Sequence, residues 1–426
     1  MTDQYELTML MSALRDGTAA RRCVFELFAR RLPGNRRYGV VAGTGRFLDQ
    51  LRRFRFDDDA LRFLADEAIV DETTRDWLAS FRFGGDIWGY PEGEAFFPGS
   101  PLLVAEGTFA EAVLLETLAL SVFNHDCAIA GAASRMVTAA GGRPVIEMGS
   151  RRTHEEAAVA CARAAYLAGF ASSSNLEARR RYGVPTAGTA AHAFVLLHDT
   201  ERDAFRAQVE ALGAGTTILV DTYDVREAVR TAVEVAGTAL GAIRIDSGDL
   251  LTLAGQVRTE LDELGATGTR IVVSGDLDEH QIAALAVTAA DAYGVGTSLV
   301  TGSGAPTAEL VYKLVARAGG DDAGAPLRPV AKRSIGKPTH GGRKWAFRRT
   351  NGAGVADAEL LCTDPAQAGD DARPLLVPLV KSGEIVWNGT LDEARTRRRN
   401  SLAGLPPTAV QLSQGEPAIP TYYVEG

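Results

Sequence analysis

The feature that most constrains the fold is an alternation of short apolar runs with longer, alanine-rich amphipathic stretches, which begins near position 144. Strand–helix units of about 20 to 30 residues predict parallel strands that are joined by crossover helices. A series of such units favours a barrel, which can be irregular, over an open sheet. The apolar runs are 144–148, 169–171, 184–188, 217–220, 241–245, 270–273 and 292–295.

The remainder of the chain lacks this rhythm and is expected to form a second domain. In residues 1–143 the pattern predicts helices over 8–29 and 107–130. Residues 319–426 carry most of the prolines and are expected to return to the domain that residues 1–143 begin, with a C-terminal extension. The sequence thus predicts an α/β protein. An irregular, incomplete parallel barrel over 144–318 carries the active site, and a second α/β domain is built from both chain ends.

Charge and cysteine content exclude several classes of protein. The 45 basic and 54 acidic residues give a net charge of −9, whereas proteins that coat nucleic acid carry strongly basic surfaces. Acidic residues at positions 3, 6 and 16 lie where a signal peptide has its apolar core, and no stretch reaches the roughly 20 apolar residues of a membrane helix. The four cysteines are far apart and are expected to be buried, reduced thiols. We therefore expect a cytoplasmic protein that binds neither nucleic acid nor a membrane.

Small hydroxyl residues, glycines and paired charges gather where the predicted barrel strands end. In a barrel of parallel strands the reaction takes place at the carboxyl ends, so these residues are candidates for an active site. They lie in Gly149-Ser150-Arg151-Arg152, Ser172-Ser173-Ser174-Asn175, Gly188-Thr189-Ala190-Ala191-His192, Asp221-Thr222-Tyr223-Asp224, Arg244-Ile245-Asp246-Ser247-Gly248-Asp249, Ser274-Gly275-Asp276 and Gly294-Val295-Gly296-Thr297.

Glycines at the ends of the last two strands predict a phosphate site. Gly275 precedes Asp276, and Gly294 and Gly296 precede Thr297. Barrels often bind phosphate here through backbone N–H groups, and glycine lets the backbone approach the anion closely. Tight turns are the alternative explanation. No segment matches the full dinucleotide-binding or P-loop pattern, which argues against a Rossmann or P-loop domain.

Acidic residues end two adjacent predicted strands, at Asp221, Asp224, Asp246 and Asp249. Carboxylates in a phosphate-binding cleft suit Mg²⁺, which takes one or two protein carboxylates together with substrate oxygens. Helix capping is the alternative, and it fits Asp224 and Asp249 well. It fits Asp246 less well, because this residue shares a strand face with Arg244 and runs directly into Ser-Gly.

Basic residues and one histidine complete the set of candidates. Arg151, Arg152 and Arg244 lie at strand ends, where their guanidinium groups can bind a carboxylate or a phosphate. A single histidine is usually a structural hydrogen-bonding residue. His192 differs from the other five histidines because it follows Gly-Thr-Ala-Ala at the end of a predicted strand.

Six segments, in register along residues 2 to about 390, resemble the nicotinate phosphoribosyltransferase family. These are Thr2-Asp3-Gln4-Tyr5-Glu6-Leu7-Thr8-Met9, Tyr38-Gly39-Val40-Val41-Ala42-Gly43, Gly169-Phe170-Ala171-Ser172-Ser173-Ser174-Asn175, Gly188-Thr189-Ala190-Ala191-His192, Arg244-Ile245-Asp246-Ser247-Gly248-Asp249 and Lys332-Arg333-Ser334-Ile335-Gly336-Lys337. The resemblance implies an irregular α/β barrel with a second α/β domain from both chain ends. It also implies a homodimer with shared active sites, in which Tyr5 of one subunit stacks on the base bound by the other.

The implied reaction joins nicotinate to phosphoribosyl pyrophosphate, giving nicotinate mononucleotide and pyrophosphate, with Mg²⁺ as cofactor and ATP as co-substrate. In the family ATP transiently phosphorylates a histidine, and His192 matches its position. Imidazole is a competent phosphoryl nucleophile when an acid holds its other nitrogen, and Asp221 and Asp224 are both candidates for that acid.

The resemblance assigns the other site residues by position. The catalytic residues are His192, Asp246 and Arg244; the nicotinate-binding residues are Tyr5, Arg151, Ser173 and Ser174; the residues that bind the phosphates of phosphoribosyl pyrophosphate are Ser247, Gly248, Gly275, Asp276, Gly294, Gly296 and Thr297; and the magnesium ligands are Asp246 and Asp221.

Three alternatives are open. The related enzymes for nicotinamide or quinolinate share the fold, but the nicotinamide enzyme has an aspartate in its base loop, where this chain has Ser172-Ser173-Ser174-Asn175. A non-catalytic nucleotide-binding barrel predicts the loss of His192 and Asp246, which are present. A phosphosugar aldolase would need a lysine at a strand end, but no predicted barrel strand ends in one and Lys313 is expected in a helix.

Overall fold

A computed structural model of the chain describes residues 2–188, 190–320, 324–332 and 340–424. The chain divides into two compact units, Met1–Ala128 with Thr307–Gly426, and Ile129–Pro306. The first unit therefore contains both ends of the chain, and the second contains the stretch of strand–helix alternation.

The helices and strands follow one another in three groups. The N-terminal group is α1 (Gln4–Asp16), β1 (Arg22–Ala29), β2 (Gly39–Val40), α2 (Thr44–Arg53), α3 (Asp58–Asp66), α4 (Glu72–Ala79), β3 (Asp86–Gly89), β4 (Ala95–Phe96), β5 (Pro101–Thr108), α5 (Phe109–Val113) and α6 (Glu116–Ala139). The middle group is β6 (Val145–Glu147), α7 (Glu155–Leu167), β7 (Ser172–Ser173), α8 (Leu176–Tyr182), α9 (His192–Leu196), α10 (Glu201–Leu212), β8 (Thr217–Leu219), α11 (Val225–Ala236), β9 (Ala242–Ile245), α12 (Leu250–Glu263), β10 (Arg270–Gly275), α13 (Glu279–Leu285), β11 (Ala292–Val295) and α14 (Thr297–Val300). The C-terminal group is β12 (Leu310–Ala318), β13 (Leu327–Pro329), β14 (Trp345–Thr350), β15 (Ala356–Cys362), β16 (Ala372–Pro374), β17 (Val377–Lys381), β18 (Glu384–Ile385), α15 (Leu391–Ala403) and β19 (Thr421–Val424).

The second unit contains a six-stranded, fully parallel sheet in the order β7-β6-β11-β10-β9-β8. Its central strands are short and mostly buried, as expected when helices cover a parallel sheet. The predicted α/β class, with an incomplete parallel barrel, is confirmed. The carboxyl ends of all six strands lie on one edge, so this edge collects the loops in which the candidate residues occur.

Helix caps explain why the chain turns into a helix directly after several of these strands. The side chains of Asn175, Asp224, Asp249 and Asp278 accept hydrogen bonds from the first-turn N–H groups of α8, α11, α12 and α13. Each cap satisfies a backbone donor that would otherwise have no partner within the helix. The capping explanation for Asp224 and Asp249 is therefore confirmed.

The first unit is built on a seven-stranded sheet in the order β13-β12-β1-β5-β3-β17-β18, and all its pairings are antiparallel. A four-stranded sheet, β16-β14-β15-β19, belongs to the same unit, as does the pair β2-β4. A large apolar core packs around β1, β5 and α6. The stretch Phe109–Ala139 is long and apolar enough to cross a membrane by composition, but 67% of its apolar window is buried inside the protein. The expectation that no stretch has this character was therefore too strict.

Four local predictions were wrong. The stretch 8–29 is not one helix, because α1 ends at Gly17, whose φ of +81° is left-handed, and Cys-Val-Phe-Glu-Leu-Phe then forms the buried strand β1. The barrel strand expected at 169–171 lies at Ser172–Ser173, and 184–188 contributes only one bridge, between Thr186 and Ser173. Lys313 lies in strand β12 rather than in a helix.

Candidate active site

A polar cavity of about 260 Å³ lies at the carboxyl ends of the parallel strands of the second unit. It contains residues from the loops after β6, β9, β10 and β11, which the sheet order places side by side. The lining residues are Met148, Arg151, Arg152, Arg244, Asp246, Ser274, Gly275, Asp276, Gly294, Gly296 and Thr297. The structure thus brings together most of the residues that the sequence assigns to catalysis and to phosphate binding.

Arg244 and Asp246 form a rigid charged pair at the cavity wall. The guanidinium Nη2 of Arg244 donates to Oδ1 of Asp246 at 2.7 Å, and its Nε donates to the hydroxyl of Ser274 at 2.7 Å. The hydroxyl of Ser274 in turn donates to Oδ1 of Asp246 at 2.5 Å. Burial opposes ionisation of Asp246, but the hydrogen bond from Ser274 and the charge of Arg244 outweigh it, so its pKa lies below the ordinary value. Asp246 is therefore a carboxylate, not a carboxylic acid, at neutral pH.

His192 is the first residue of α9, and Asp221 follows strand β8. The imidazole Nε2 lies 3.9 Å from Oδ1 of Asp221, and Nδ1 lies 3.2 Å from the hydroxyl of Thr222. The other carboxylate oxygen of Asp221 accepts from the backbone N–H of Asp246 at 3.0 Å and from the hydroxyl of Ser247 at 2.6 Å. Asp221 thereby links the histidine to the loop after β9.

Asp221 is almost wholly buried, and its Oδ1 lacks a hydrogen-bond partner within the described part of the chain. A buried acceptor without a partner is costly, so it points to a proton on the facing imidazole nitrogen or to a bound cation. Asp224 is instead occupied as the cap of α11. Of the two acids that the sequence offers for orienting His192, the geometry favours Asp221.

The backbone at Gly275 can be formed only by glycine without strain. Its φ of +135° is a conformation that L side chains rarely adopt, and a Cβ there would lie 3.2 Å from the carbonyl oxygen of Asp246. The absence of a side chain leaves backbone atoms at the cavity surface, where an anion can approach them.

Several predicted residues are not among those that line this cavity. The hydroxyl of Ser173 is fully buried and donates to Glu147, whereas Ser174 is exposed. The hydroxyl of Ser247 is used by Asp221, and Gly248 lines a neighbouring cavity of about 250 Å³. Tyr5 belongs to the other unit, on α1, with 45% of its surface exposed.

Met148 and Glu147 were missed by the sequence reasoning, and Ser274 was named there as a strand-end candidate but given no role. Met148 and Ser274 line the cavity, and Glu147 is completely buried at the end of β6. Met148 and Glu147 immediately precede Gly149, so their position next to a strand-end loop was the available signal. Thr189, and the Lys332–Lys337 motif beyond its first residue, lie outside the described residues.

A cavity with arginines, the ionised carboxylate of Asp246 and exposed backbone at the carboxyl ends of a parallel half-barrel is typical of an enzyme that acts on phosphorylated, anionic substrates. Comparison with known proteins narrows this class. Residues 1–124 match the model of the nicotinate phosphoribosyltransferase N-terminal domain, and residues 129–304 match that of the quinolinate phosphoribosyl transferase C-terminal domain. A nicotinate phosphoribosyltransferase of Mycobacterium tuberculosis is 60% identical over 99% of this chain and 94% of its own length. The chain therefore belongs to the nicotinate phosphoribosyltransferase family.

More distant relatives and a solved structure agree with this assignment. The bovine nicotinate phosphoribosyltransferase is 30% identical over 97% of this chain and 92% of its own length. The crystal structure of the human nicotinic acid phosphoribosyltransferase superimposes with a TM-score of 0.85 at 28% identity, over 100% of this chain and 98% of that one. The likeness therefore extends over both units.

Proposed function

We propose that the chain forms nicotinate mononucleotide and pyrophosphate from nicotinate and phosphoribosyl pyrophosphate, as an enzyme of NAD biosynthesis. The observation that carries this proposal is the cavity itself, which is lined by Arg151, Arg152 and the pair of Arg244 with the ionised Asp246. The reaction breaks the bond between the sugar C1 and the pyrophosphate as the pyridine nitrogen attacks C1. Positive charge then develops on the sugar and negative charge on the leaving group, and fixed charges of both signs stabilise that separation.

The phosphate side of the cavity is assigned to Gly275, Asp276, Gly294, Gly296 and Thr297. These residues lie after β10 and β11, adjacent strands of the sheet. Backbone N–H groups and the hydroxyl of Thr297 are the donors available there for the 5′-phosphate. Ser247 and Gly248, also proposed to bind phosphate, lie in the loop after β9. The hydroxyl of Ser247 donates to the carboxylate of Asp221 there.

Asp246 and Asp221 are suited to hold magnesium together with the substrate pyrophosphate. The described residues include no cluster of three or more histidine, cysteine, aspartate or glutamate side chains that could hold a metal ion, so substrate oxygens must complete the coordination. Both hydrogen bonds to the Asp246 side chain fall on Oδ1, so Oδ2 would be available to hold the metal. When bound, Mg²⁺ neutralises charge on the pyrophosphate leaving group.

His192 is the residue that ATP phosphorylates in this proposal. Because the Asp221 carboxylate lies 3.9 Å from Nε2, its charge favours the tautomer with the proton on Nε2, which leaves Nδ1 as the nucleophile. With 40% of its side chain exposed, the imidazole is accessible to a phosphoryl donor. Hydrolysis of the phosphohistidine then couples ATP to nucleotide synthesis.

Nicotinate is favoured over nicotinamide and quinolinate as the base. Arg151 supplies a cation for a single carboxylate, and the exposed Ser174 adds a hydroxyl without negative charge. The second family model carries the quinolinate name, but it covers residues 129–304, whereas the relatives that match nearly the whole chain are nicotinate enzymes. The alternative of a non-catalytic barrel is disfavoured because the charged residues remain assembled around one cavity.

A homodimer with shared sites is proposed from the surface around the cavity loops. Large apolar side chains are exposed in the segments that follow β7, β8 and β9, and a soluble surface normally has few of these. They are Leu176, Leu196, Leu197, Tyr223 and Leu251. A second subunit would cover them and could supply Tyr5. The four cysteines are free and buried, which fits a cytoplasmic location where thiols stay reduced.

The decisive experiment is a product assay with purified protein, phosphoribosyl pyrophosphate and Mg²⁺, with and without ATP. Nicotinate, nicotinamide and quinolinate are compared at equal concentration. We expect nicotinate mononucleotide from nicotinate, at a higher rate with ATP. Preferential turnover of nicotinamide or quinolinate would contradict the assignment.

A further inference from the structure

Glu147 is a buried carboxyl group below the cavity that the proposed reaction does not use. It is the last residue of β6 and has no exposed surface. Burial raises its pKa, against the hydrogen bonds that it receives from Ser173 and Gly149. A carboxyl group is expensive to bury, so its contacts at this position call for an explanation.

The two carboxyl oxygens of Glu147 join the loops after two neighbouring strands. Oε1 accepts from the backbone N–H of Gly149, and Oε2 accepts from the hydroxyl of Ser173. That hydroxyl accepts in turn from the backbone N–H of Asn175 at 2.9 Å. The side-chain amide of Asn175 donates to the hydroxyl of Ser150 at 3.0 Å. A closed hydrogen-bonded ring therefore connects the loop after β6 with the loop after β7.

The same ring fixes the backbone on both sides of the proposed base site. Arg151 lies in the short 3₁₀ helix Ser150–Arg152, whose N-cap is Gly149. Because the ring includes Gly149 and Ser150, it holds the backbone next to Arg151. The backbone carbonyl of Glu147 accepts from the N–H of Ser174 at 2.8 Å, which fixes the second predicted base contact.

Gly149 packs too closely for the loop to shift freely. A Cβ at this position would lie 2.4 Å from Cγ1 of Val300, 3.0 Å from the carbonyl oxygen of Gly296 and 3.1 Å from Oε1 of Glu147. Glycine is therefore required where the loop after β6 passes the loop after β11. The hydrogen-bonded ring and the close packing of Gly149 therefore both restrict movement of the backbone that precedes Arg151.

We propose that Glu147 is a positioning residue that determines how tightly the chain binds the carboxylate end of its base, because it holds the loops of Arg151 and Ser174 in register. This inference rests on the proposed function of the cavity. Arg151 is exposed, and a long exposed side chain loses rotamer freedom when it binds an anion. A fixed backbone limits that loss to the side chain itself. Ser173, predicted as a direct base contact, acts in this scheme as a member of the ring.

Two mild substitutions test the ring without removing a side chain that faces the substrate. Glu147→Met keeps a similar length but removes both oxygens that accept from Gly149 and Ser173. Ser150→Ala removes the acceptor of the Asn175 amide and adds no charge. We expect each variant to raise the KM for nicotinate by roughly three- to tenfold, with kcat and the KM for phosphoribosyl pyrophosphate unchanged within about twofold.

The double variant shows whether the two residues act through one ring. If they do, its increase in KM is clearly smaller than the product of the two single increases, because the first substitution has already opened the ring. Glu260→Met is the matched control. Glu260 is another buried carboxylate of the same unit, but it pairs with Arg226 and Arg230 on the outer helices, so its loss should lower Tm and leave the KM for nicotinate unchanged.

Hydrogen exchange separates this inference from the proposed function. In Glu147→Met we expect faster exchange at 148–154 and 172–176 than in the wild-type protein, and no change in the peptides of β10 and β11. Unchanged exchange in these loops, or a fall in Tm with an unchanged KM for nicotinate, would overturn the inference. Absence of nicotinate mononucleotide formation by the wild-type protein would instead overturn the proposed function, whatever the exchange result.

Discussion

Oδ1 of Asp221 lies 3.9 Å from Nε2 of His192 and is buried without a hydrogen-bond partner among the described residues. The second oxygen of the same carboxylate is held by the backbone of Asp246 and the hydroxyl of Ser247. One aspartate therefore contacts the proposed phosphoryl acceptor and the loop of the proposed metal ligand. A change in the charge of His192 on phosphorylation can reach Asp246 through this single side chain.

His192→Ala tests the coupling to ATP. We expect ATP hydrolysis to be lost and some ATP-independent nucleotide synthesis to remain, because Arg244, Asp246 and the glycine loops are untouched. The measurement is phosphate release and nucleotide formation in the same reaction mixture. Full ATPase activity in this variant would reject His192 as the phosphoryl acceptor.

Asp221→Asn tests the orientation of His192. The substitution keeps the shape but removes the charge that would favour a proton on Nε2, so we expect phosphohistidine formation to slow by roughly ten- to a hundredfold. Asp224→Asn is the matched control, since Asn is an equally good helix cap and Asp224 caps α11. Acid-labile ³²P incorporation from labelled ATP measures the step. Equal loss in the two variants would count against Asp221.

Asp246 gives a prediction about pH. Because its pKa is lower in the folded protein than its ordinary value of 3.8, its ionised form stabilises the fold above the pKa of an unfolded aspartate. That contribution is lost only as the pH falls through the folded value. We therefore expect the kcat profile between about pH 5 and 8 to show no step from Asp246. Asp246→Asn should lower kcat by at least about a hundredfold throughout this range. A variant that regains activity at one end of the range would contradict the assignment.

The residues proposed to bind phosphate could be found from the sequence because they lie at strand ends. Gly275, Asp276, Gly294, Gly296 and Thr297 lie at or directly after the ends of two apolar runs, and parallel strands place their carboxyl ends on one edge. The charged pair of Arg244 and Asp246 was similarly visible, since residues two apart share a strand face.

Side-chain hydrogen bonds between strands could not be predicted. Ser173 and Glu147 are 26 residues apart, and only the pairing of β6 with β7 makes the serine hydroxyl a partner of a buried carboxyl group. Strand β7 itself has two residues, too few for a periodic signal. In the first unit, the stretch 8–29 satisfied a helical pattern as a whole, although Gly17 divides it into a helix and a strand. The contact of Ser173 with Glu147 depends on tertiary structure, which a local sequence pattern does not contain. Gly17 was a local signal for the end of α1, but the apolar periodicity on both sides of it hid the change from helix to strand.

Arg348 and Arg349 give a stability prediction, because they are adjacent on β14 but differ in burial. Arg348 is buried and binds Glu94 at 2.7 Å as well as Glu359. Arg349 forms a half-exposed pair with Asp357 at 2.9 Å. Arg348→Met removes the cation that the buried Glu359 binds and leaves the buried Glu94 with Arg373, 3.0 Å away, so we expect a loss of about 3–5 kcal/mol in the free energy of unfolding. Arg349→Met should cost under about 1 kcal/mol. Urea denaturation measures the free energy of unfolding of both variants. Equal losses would show that the buried ion pairs of Arg348 contribute no more to stability than the half-exposed pair of Arg349.

Tyr5 and His192 together test whether active sites are shared between subunits. Tyr5→Ala should raise the KM for nicotinate by about tenfold, in line with roughly 1.4 kcal/mol of lost aromatic contact. Met9→Ala, one turn further along α1 and also exposed, is the control and should leave this KM unchanged.

If Tyr5 comes from the partner subunit, mixing the Tyr5→Ala and His192→Ala proteins creates dimers in which one of the two sites has both residues. Random reassortment makes half of the dimers mixed, so about a quarter of all sites should be intact. We expect ATP-coupled synthesis at low nicotinate to rise above the sum of the two separate proteins after subunit exchange. If each site uses its own Tyr5, no mixed dimer contains an intact site, and the rate stays at that sum.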